Sequence, residues 1–210
     1  SSPMSIDDRD INLKAIPADV LALCNRLKSH GKRGWIVGGC VRDLLLGRTV
    51  ADWDVATDAR PDEVMKIFPK TVPTGIAHGT VTVLLNHTPY EVTTLRGETT
   101  YSDGRRPDAV HFVDDISADL ARRDFTINAI AIDPTSGHVI DPWGGREDLK
   151  RRTLRAVGNP IERFSEDGLR VLRAARFVAT LELDLDPATH AAIQPTLATY
   201  RKVSAERVRD

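Results

Sequence analysis

Residues 35–57 read WIVGGCVRDLLLGRTVADWDVAT, and this stretch decides how the rest of the chain is interpreted. A short apolar run leads into the glycine pair Gly38-Gly39, and a helix-like segment over residues 41–46 follows. Polar and apolar residues then alternate over residues 52–55, which is the pattern of a strand. The stretch therefore predicts a strand, a glycine turn, a helix and a second strand in succession.

Asp52 and Asp54 are candidate metal ligands in the second predicted strand. Residues two apart in a strand project from the same face, about 7 Å apart. Two carboxylates that close repel each other unless a cation lies between them. Oxygen ligands of this kind suit a hard ion such as Mg²⁺. An isolated Asp-x-Asp is most often a solvated strand or loop, so the preceding glycine pair gives this one its weight.

The glycine pair suggests a phosphate-binding turn. Glycine lets the backbone approach a ligand closely because it has no Cβ atom. The helix that follows offers free N–H groups to an anion, and Arg42 in its first turn can add a charge-assisted contact. A glycine pair alone is more often an ordinary turn. Together with the two acids, however, Gly39 and Arg42 predict a site for a nucleoside triphosphate.

Composition sets broad limits on the protein. The 210 residues carry 29 Lys and Arg against 30 Asp and Glu, and 41% are hydrophobic. This balance does not by itself indicate a nucleic-acid binder, which is usually basic. Cys24 and Cys40 are too few for a disulfide scaffold or a zinc site. With no apolar run of spanning length and no signal peptide, we expect a cytoplasmic protein without a membrane segment. The composition does not predict an oligomeric state.

A β-hairpin with a third acid is predicted next. Residues 80–85 and 90–95 alternate and are rich in β-branched residues, with turn residues between them. Glu91 lies on the returning strand, where it either faces solvent or needs a charged partner. Residues 97–109 are polar and rich in glycine and proline, which predicts a loop.

The run RRDFTINAIA over residues 122–131 is the second polar signature. Arg123 offers a planar fork of donors to a phosphate or sugar oxygen, and Asp124 could orient it. Asn128 interrupts an apolar run and is expected to satisfy backbone groups or to contact a sugar. The alternative interpretation is an Arg–Asp pair with a helix cap.

The run EDGLRVLRAARF over residues 166–177 is the third signature and predicts one helix. Its charged residues recur at helical spacing: Asp167, Arg170, Arg173 and Arg176. Its apolar residues are expected to face a core: Leu169, Leu172 and Phe177. A row of this kind is usually a salt-bridged helix surface.

Three signatures in this order, with EVTT over residues 91–94 between them, resemble class II tRNA nucleotidyltransferases and bacterial poly(A) polymerases. The resemblance implies an α+β fold with a polymerase-β-like nucleotidyltransferase head, in which helices flank a mixed sheet. This head would span residues 12–157, and an all-helical neck would follow over residues 158–210. Gly168 stands where relatives commonly carry Ala, which costs roughly 1 kcal/mol of helix propensity.

The resemblance also implies roles for the residues. Asp52 and Asp54 would hold catalytic Mg²⁺, and Glu91 would be a third carboxylate beside the metal. The implied nucleotide-binding residues are Gly39, Arg42, Arg123, Asp167, Arg170, Arg173 and Arg176. The implied substrates are CTP, ATP and the 3′ end of tRNA, and the loop at 97–109 is implied to help to switch specificity.

Hydrogen bonding explains how two of these residues would select a base. Asp167 is an acceptor and Arg170 a donor, which matches the amino group and ring nitrogen of C and A. U and G present a carbonyl that a carboxylate repels. The sequence therefore predicts template-independent addition of C, A or both to tRNA. A poly(A) polymerase and an inactive nucleotide- or RNA-binding module are the alternatives.

Overall fold

A seven-stranded mixed sheet organises the chain in the computed structural model, which describes residues 10–97 and 111–196. Its order is β3-β4-β5-β2-β1-β6-β7. The seven strands are β1 (Gly34–Val37), β2 (Asp54–Thr57), β3 (Thr71–Gly75), β4 (Thr80–Leu85), β5 (Thr88–Thr94), β6 (Ala131–Ile132) and β7 (Val139–Ile140). Only β2 and β5 pair in parallel, so the predicted mixed sheet of an α+β fold is confirmed. The predicted loop at 97–109 lies, beyond residue 97, outside the described residues.

The helices cover the two faces of the sheet unequally. They are α1 (Ala18–Ser29), α2 (Gly39–Leu45), α3 (Pro61–Ile67), α4 (Ile116–Ala121), α5 (Gly145–Lys150), α6 (Pro160–Glu166) and α7 (Leu169–Leu181). Buried residues of α1 and α3 pack with Ile36 and Val55 in the main core. On the opposite face, α4 packs over Trp35 and Leu95 in a smaller cluster. In the described part of the chain, we find no helix long and apolar enough to cross a bilayer.

The predicted hairpin is confirmed, with a tight turn at its tip. Leu85 pairs with Thr88, which leaves a two-residue loop, Asn86-His87. Both loop residues have positive φ, 49° and 63°, as a type I′ turn requires. This turn fixes the register, so alternate residues of β5 project from opposite faces. Glu91 therefore lies on the face that α4 covers only in part.

The segment after residue 158 differs from the prediction in three respects. The single helix predicted over residues 166–177 is wrong, because the chain breaks between α6 and α7. Asp167 there has extended backbone (φ −151°, ψ 107°), and its carboxylate accepts a 3.0 Å hydrogen bond from Leu169 N. A polar side chain that caps the first turn of a new helix in this way competes with a continuous helix.

A short strand, β9 (Asp184–Leu185), also lies in the segment predicted to be helical, and it pairs in parallel with β8 (Thr153–Leu154). The predicted burial of Leu169 and Leu172 is wrong, since they are 57% and 60% exposed. The buried side of α7 instead carries Val171, Ala174 and Leu181. A further helix begins at residue 187 and continues to the last described residue, 196.

Candidate active site

Two carboxylates face each other on the incompletely covered face of the sheet. Asp54 begins β2 and lies opposite Glu91 of β5 in the parallel register. A cavity of about 280 Å³ opens over this point, and its walls include Thr80, Thr93 and Arg123. The two acids are held on rigid, paired strands. They remain open to a ligand because α4 covers only the other end of this face.

The environment of Asp54 disfavours its negative charge. Burial and then the neighbouring Glu91 raise the pKa of Asp54 to about 6, with a smaller contribution from Asp52. Arg123 opposes this shift but does not cancel it. A nearby cation would relieve the repulsion between the acids.

Asp52 does not lie in the strand predicted to contain it. The strand β2 begins at Asp54, and Asp52 is an exposed residue of the preceding segment. The alternation of residues 52–55 suggested a longer strand, but β1 ends opposite Asp54 and offers no ladder partner beyond it. Asp52 still lies close enough to Asp54 to raise its pKa. The prediction of two acids on one strand is therefore wrong, although their proximity is retained.

The carboxylates at this site would fit Mg²⁺ only if substrate phosphates supplied its remaining ligands. Within residues 10–97 and 111–196, no group of three His, Cys, Asp or Glu side chains is arranged to hold a metal ion. Magnesium in phosphoryl-transfer sites is commonly held by one or two carboxylates together with substrate phosphates. Asp54 and Glu91 supply such oxygen ligands, with Asp52 near them.

The glycine pair forms the predicted strand-to-helix junction, and its first residue is the more constrained. Gly38 has φ +81°, and a Cβ atom there would lie 3.4 Å from Nη1 of Arg123 and 3.8 Å from Oδ2 of Asp54. Gly39 begins α2, and a Cβ atom there would lie 3.2 Å from Nη2 of Arg42. The sequence predicted a phosphate-binding turn at the glycine pair but named Gly39 alone among the nucleotide-binding residues, although Gly38 is the one with positive φ.

Arg123 is oriented by Asp119 rather than by the predicted Asp124. Asp119 is 1% exposed and accepts hydrogen bonds from Arg123 at 3.0 Å and from Arg122 at 3.1 Å. Burial opposes ionisation of Asp119, but Arg123 and Arg122 lower its pKa below the ordinary value. Spacings of three and four residues place these arginines over Asp119 at the end of α4, a signal that the sequence did contain.

Asp124 instead connects the glycine turn to α7. Its carboxylate accepts a 3.3 Å hydrogen bond from Asn128 and forms a 2.7 Å ion pair with Arg173. Asn128 in turn accepts a 2.8 Å hydrogen bond from Arg42. The guanidinium of Arg42 also lies 5.2 Å from the ring centre of Phe177. Arg42 and Arg173 are thus joined through two intervening side chains, and the Asn128 side chain bonds other side chains instead of the backbone groups expected from the sequence.

The remaining residues of the third signature lie around the break between α6 and α7. Arg170 donates to the backbone oxygen of Arg163 at 2.9 Å and to Glu166 at 2.7 Å. Asp167 caps α7 as described above. Arg176 is exposed on α7, one turn beyond Arg173. These contacts fix Asp167 and Arg170 in place at the start of α7.

The mixed sheet, its acidic pair and the adjacent arginines define the class of the protein as a polymerase-β-like nucleotidyltransferase head. More particularly, the chain belongs to the poly A polymerase head domain family, whose model matches residues 34–155.

Individual relatives agree with this assignment. A CCA-adding enzyme of Geobacillus sp. (strain WCH70) is 51% identical over 188 residues, which are 90% of this chain and 46% of that protein. The CCA-adding enzyme of Bacillus stearothermophilus, solved in complex with CTP, is 48% identical with a TM-score of 0.76, over 83% of this chain and 42% of that one. A tRNA nucleotidyltransferase solved with a primer tRNA and an incoming ATP analogue is 32% identical with a TM-score of 0.68, over 84% of this chain and 50% of that one. The chain spans about half the length of the curated relatives it matches.

Proposed function

We propose that this chain is the catalytic part of a tRNA nucleotidyltransferase that adds C and A from CTP and ATP to the 3′ end of tRNA and releases pyrophosphate. The observation that carries the proposal is the pairing of Asp54 with Glu91 on adjacent strands, beside Gly38 and Arg123. The relatives supply the substrates: CCA-adding enzymes, one of them bound to CTP, and a tRNA nucleotidyltransferase bound to a primer tRNA and an ATP analogue.

Asp54 and Glu91, with Asp52 beside them, would hold Mg²⁺. Bound there, the ion would supply Lewis-acid stabilisation of charge on the reacting oxygens. The carboxylates themselves place negative charge next to the attacking 3′-hydroxyl and so assist removal of its proton. The rigid register of β2 and β5 keeps Asp54 and Glu91 in position for this without rearrangement.

Gly38, Gly39, Arg42 and Arg123 would bind the triphosphate. The glycines leave room for phosphate oxygens close to the backbone. Arg123 lies between Gly38 and Asp119, so its guanidinium can meet charge that develops during transfer. Arg42 is held by Asn128 and stacks on Phe177, which restricts its movement before a nucleotide binds.

Asp167 and Arg170 would select the base, with Arg173 and Arg176 as further contacts along α7. The carboxylate accepts from the amino group of C or A, and the guanidinium donates to the ring nitrogen. U and G place a carbonyl where that amino group would be and leave a polar group unpaired, which is costly. No template is required, because the protein side chains replace the partner base.

We further propose that the head spans residues 12–157 and that a neck which carries the base-selecting residues spans residues 158–210. A cytoplasmic location suits an enzyme that acts on tRNA. Mg²⁺ is the ion favoured by an all-oxygen ligand set completed by phosphates.

A poly(A) polymerase is the second candidate, because the matching family model is described by that activity. The test is to incubate the full protein with tRNA that lacks its 3′ end, and with CTP, ATP or both. Addition of two C residues, one A, or the complete CCA end supports the proposal. Long tails from ATP alone would establish the polymerase instead. Nucleotide binding without any incorporation would establish an inactive binding module.

A further inference from the structure

Two cationic side chains in the cavity, those of Arg96 and Arg122, have no part in the proposal above. Arg96 follows β5 and lines the same cavity as Asp54 and Glu91. Its Nε atom is buried and has no hydrogen-bond partner in the part of the chain that the structure describes. A buried donor without an acceptor is costly and is a reason to look for a ligand.

The backbone of Arg96 is fixed on both sides. Its N–H donates to Asp119 at 2.9 Å, and its carbonyl oxygen accepts from Nε of Arg122 at 3.2 Å. Asp119 and Arg122 are themselves joined at 3.1 Å, so the three residues form a closed ring of contacts. Such a ring fixes the backbone position from which the Arg96 side chain enters the cavity before a ligand arrives.

The charge at this end of the cavity is positive. Three guanidinium groups, those of Arg96, Arg122 and Arg123, surround the single buried carboxylate of Asp119. Both oxygens of that carboxylate already accept hydrogen bonds. The excess positive charge and the unused donor of Arg96 favour an anion with several acceptor oxygens, and a phosphate is the common one.

The position of Arg96 indicates which phosphate this would be. The cavity extends from Val37 of β1 across β2 to the hairpin, where it passes the hydroxyl groups of Thr80 and Thr93, which lie 3.0 Å apart. The glycine pair lies on the other side of Asp54, at the start of α2. If the incoming triphosphate occupies the α2 side, then the second reactant has to approach Asp54 and Glu91 along the hairpin.

We infer that Arg96 binds a backbone phosphate of the RNA strand near its 3′ end, and that Asp119 is the positioning residue that holds Arg96 for this contact. The inference rests on the proposed function, since it requires RNA as the second reactant. It assigns the β4–β5 side of the cavity to RNA and the α2 side to the nucleotide.

The first test compares Arg96→Gln with Arg151→Gln in the full protein. Arg151 is a surface arginine that pairs with Glu147 at 3.2 Å, so its loss controls for net charge. We expect Arg96→Gln to weaken tRNA binding about tenfold. It should also lower the slope of log affinity against log salt by about 0.7, the value for one contact to a single strand. Binding of CTP should change no more than in Arg151→Gln.

The second test changes the RNA and needs no protein variant. A neutral methylphosphonate replaces each of the last three phosphodiesters of the tRNA in turn, and binding to the unmodified protein is measured. We expect one position to lose about as much affinity as Arg96→Gln does, and the two changes together to lose little more.

Two results would overturn the inference: CTP binding that weakens as much as tRNA binding in Arg96→Gln, or equal affinity for all three modified RNAs. Both results are compatible with normal nucleotide addition by the unmodified protein. Each can therefore be distinguished from a failure of the proposed function. That failure would appear as no addition by the unmodified protein at all.

Discussion

Glu91 lies directly opposite Asp54 in the only parallel strand pair of the seven-stranded sheet. Their proximity is set by backbone hydrogen bonds and not by attraction between the side chains, since two carboxylates repel each other. The fold therefore maintains an unfavourable charge pair at the centre of its cavity. Such an arrangement is typical of a site that gives up stability for function.

The first prediction concerns the stability cost of Asp54. Its raised pKa means that the folded state binds this proton more tightly than the unfolded chain does. The stability from the bound proton is fully present below about pH 4, the ordinary value for Asp, and is lost as the pH rises to about 6. Without Mg²⁺ at pH 7, Asp54→Asn should therefore be more stable than the natural protein by about 1–2 kcal/mol, after allowance for solvent screening. Urea unfolding measures the difference.

The control for this prediction is Asp62→Asn, which removes an exposed carboxylate of α3 and should leave stability nearly unchanged. Added Mg²⁺ should stabilise the natural protein more than Asp54→Asn, although the variant should have lost nucleotide addition. Equal stability of the natural protein and Asp54→Asn at pH 7 would contradict the assigned charge repulsion.

The second prediction separates backbone strain from contact at Gly38. Ala at this position would have to adopt φ near +81° with ψ near −147°, a region essentially restricted to glycine, which costs about 1–3 kcal/mol. Its methyl group would also lie 3.4 Å from Arg123 and 3.8 Å from Asp54. We expect Gly38→Ala to lose at least tenfold in kcat, because its methyl group, in ordinary van der Waals contact with Arg123 and Asp54, would occupy the space proposed for phosphate oxygens.

Gly31→Ala is the matched control for Gly38→Ala. Gly31 has φ +74°, and a Cβ atom there would meet nothing within 4 Å. It should lose some stability, because its φ is also positive, and keep its kcat. A similar kcat in the two variants would show that the reaction does not need the space at Gly38.

The third prediction concerns the link between Asp124 and Arg173. Asp124 is 6% exposed and pairs with Arg173 at 2.7 Å. We expect Asp124→Asn and Arg173→Gln each to destabilise the protein, and the double variant to lose less than their sum by about 0.5–3 kcal/mol. Asp124→Asn should also raise the KM for CTP, because Asn128 and Arg42 are held through the same carboxylate.

Arg176→Gln is the control for this coupling, since Arg176 lies one turn further along α7 and is exposed. Its effect on stability should simply add to that of Asp124→Asn. If the effect of Arg173→Gln on stability also simply added to that of Asp124→Asn, the ion pair would contribute nothing to the connection between the two parts of the chain.

Local patterns predicted those parts of the structure that local forces determine. The alternation of residues 80–85 and the turn residues after them specify the hairpin, and the glycine pair marks the junction of β1 with α2. The family signatures supplied the mixed sheet, which the spacing of apolar residues alone does not determine.

The errors arose where a distant part of the chain decides the outcome. Asp52 lies outside β2 because β1 ends opposite Asp54, and the alternation of residues 52–55 contains no information about the length of β1. Arg123 is oriented by Asp119 and not by its sequence neighbour Asp124, because α4 brings Asp119 next to the Arg123 guanidinium. Leu169 and Leu172 are exposed because α7 turns a different row towards the core, Val171, Ala174 and Leu181, which also recurs at helical spacing.

The fourth prediction distinguishes the structural role of Asp167 from its proposed role in base selection. Asp167 caps α7 through Leu169 N, so Asp167→Ala should cost about 1 kcal/mol as well as any selectivity. Asp167→Asn keeps a cap of similar strength but can turn a donor towards the base. We expect Asp167→Asn to unfold like the natural protein and yet to incorporate U or G. Addition assays with each of the four nucleotides and thermal unfolding measure the two properties separately.

Arg170→Ala extends this test, because its guanidinium contacts Glu166 and the backbone of Arg163. It should also relax base choice, with a loss of stability of about 1–3 kcal/mol from the partners left unpaired. Arg163→Ala, which removes another arginine beside Glu166, should lose stability and retain strict selection of C and A. Strict selection in Asp167→Asn and Arg170→Ala together would leave these side chains with a structural role only. The base would then have to be read by other residues.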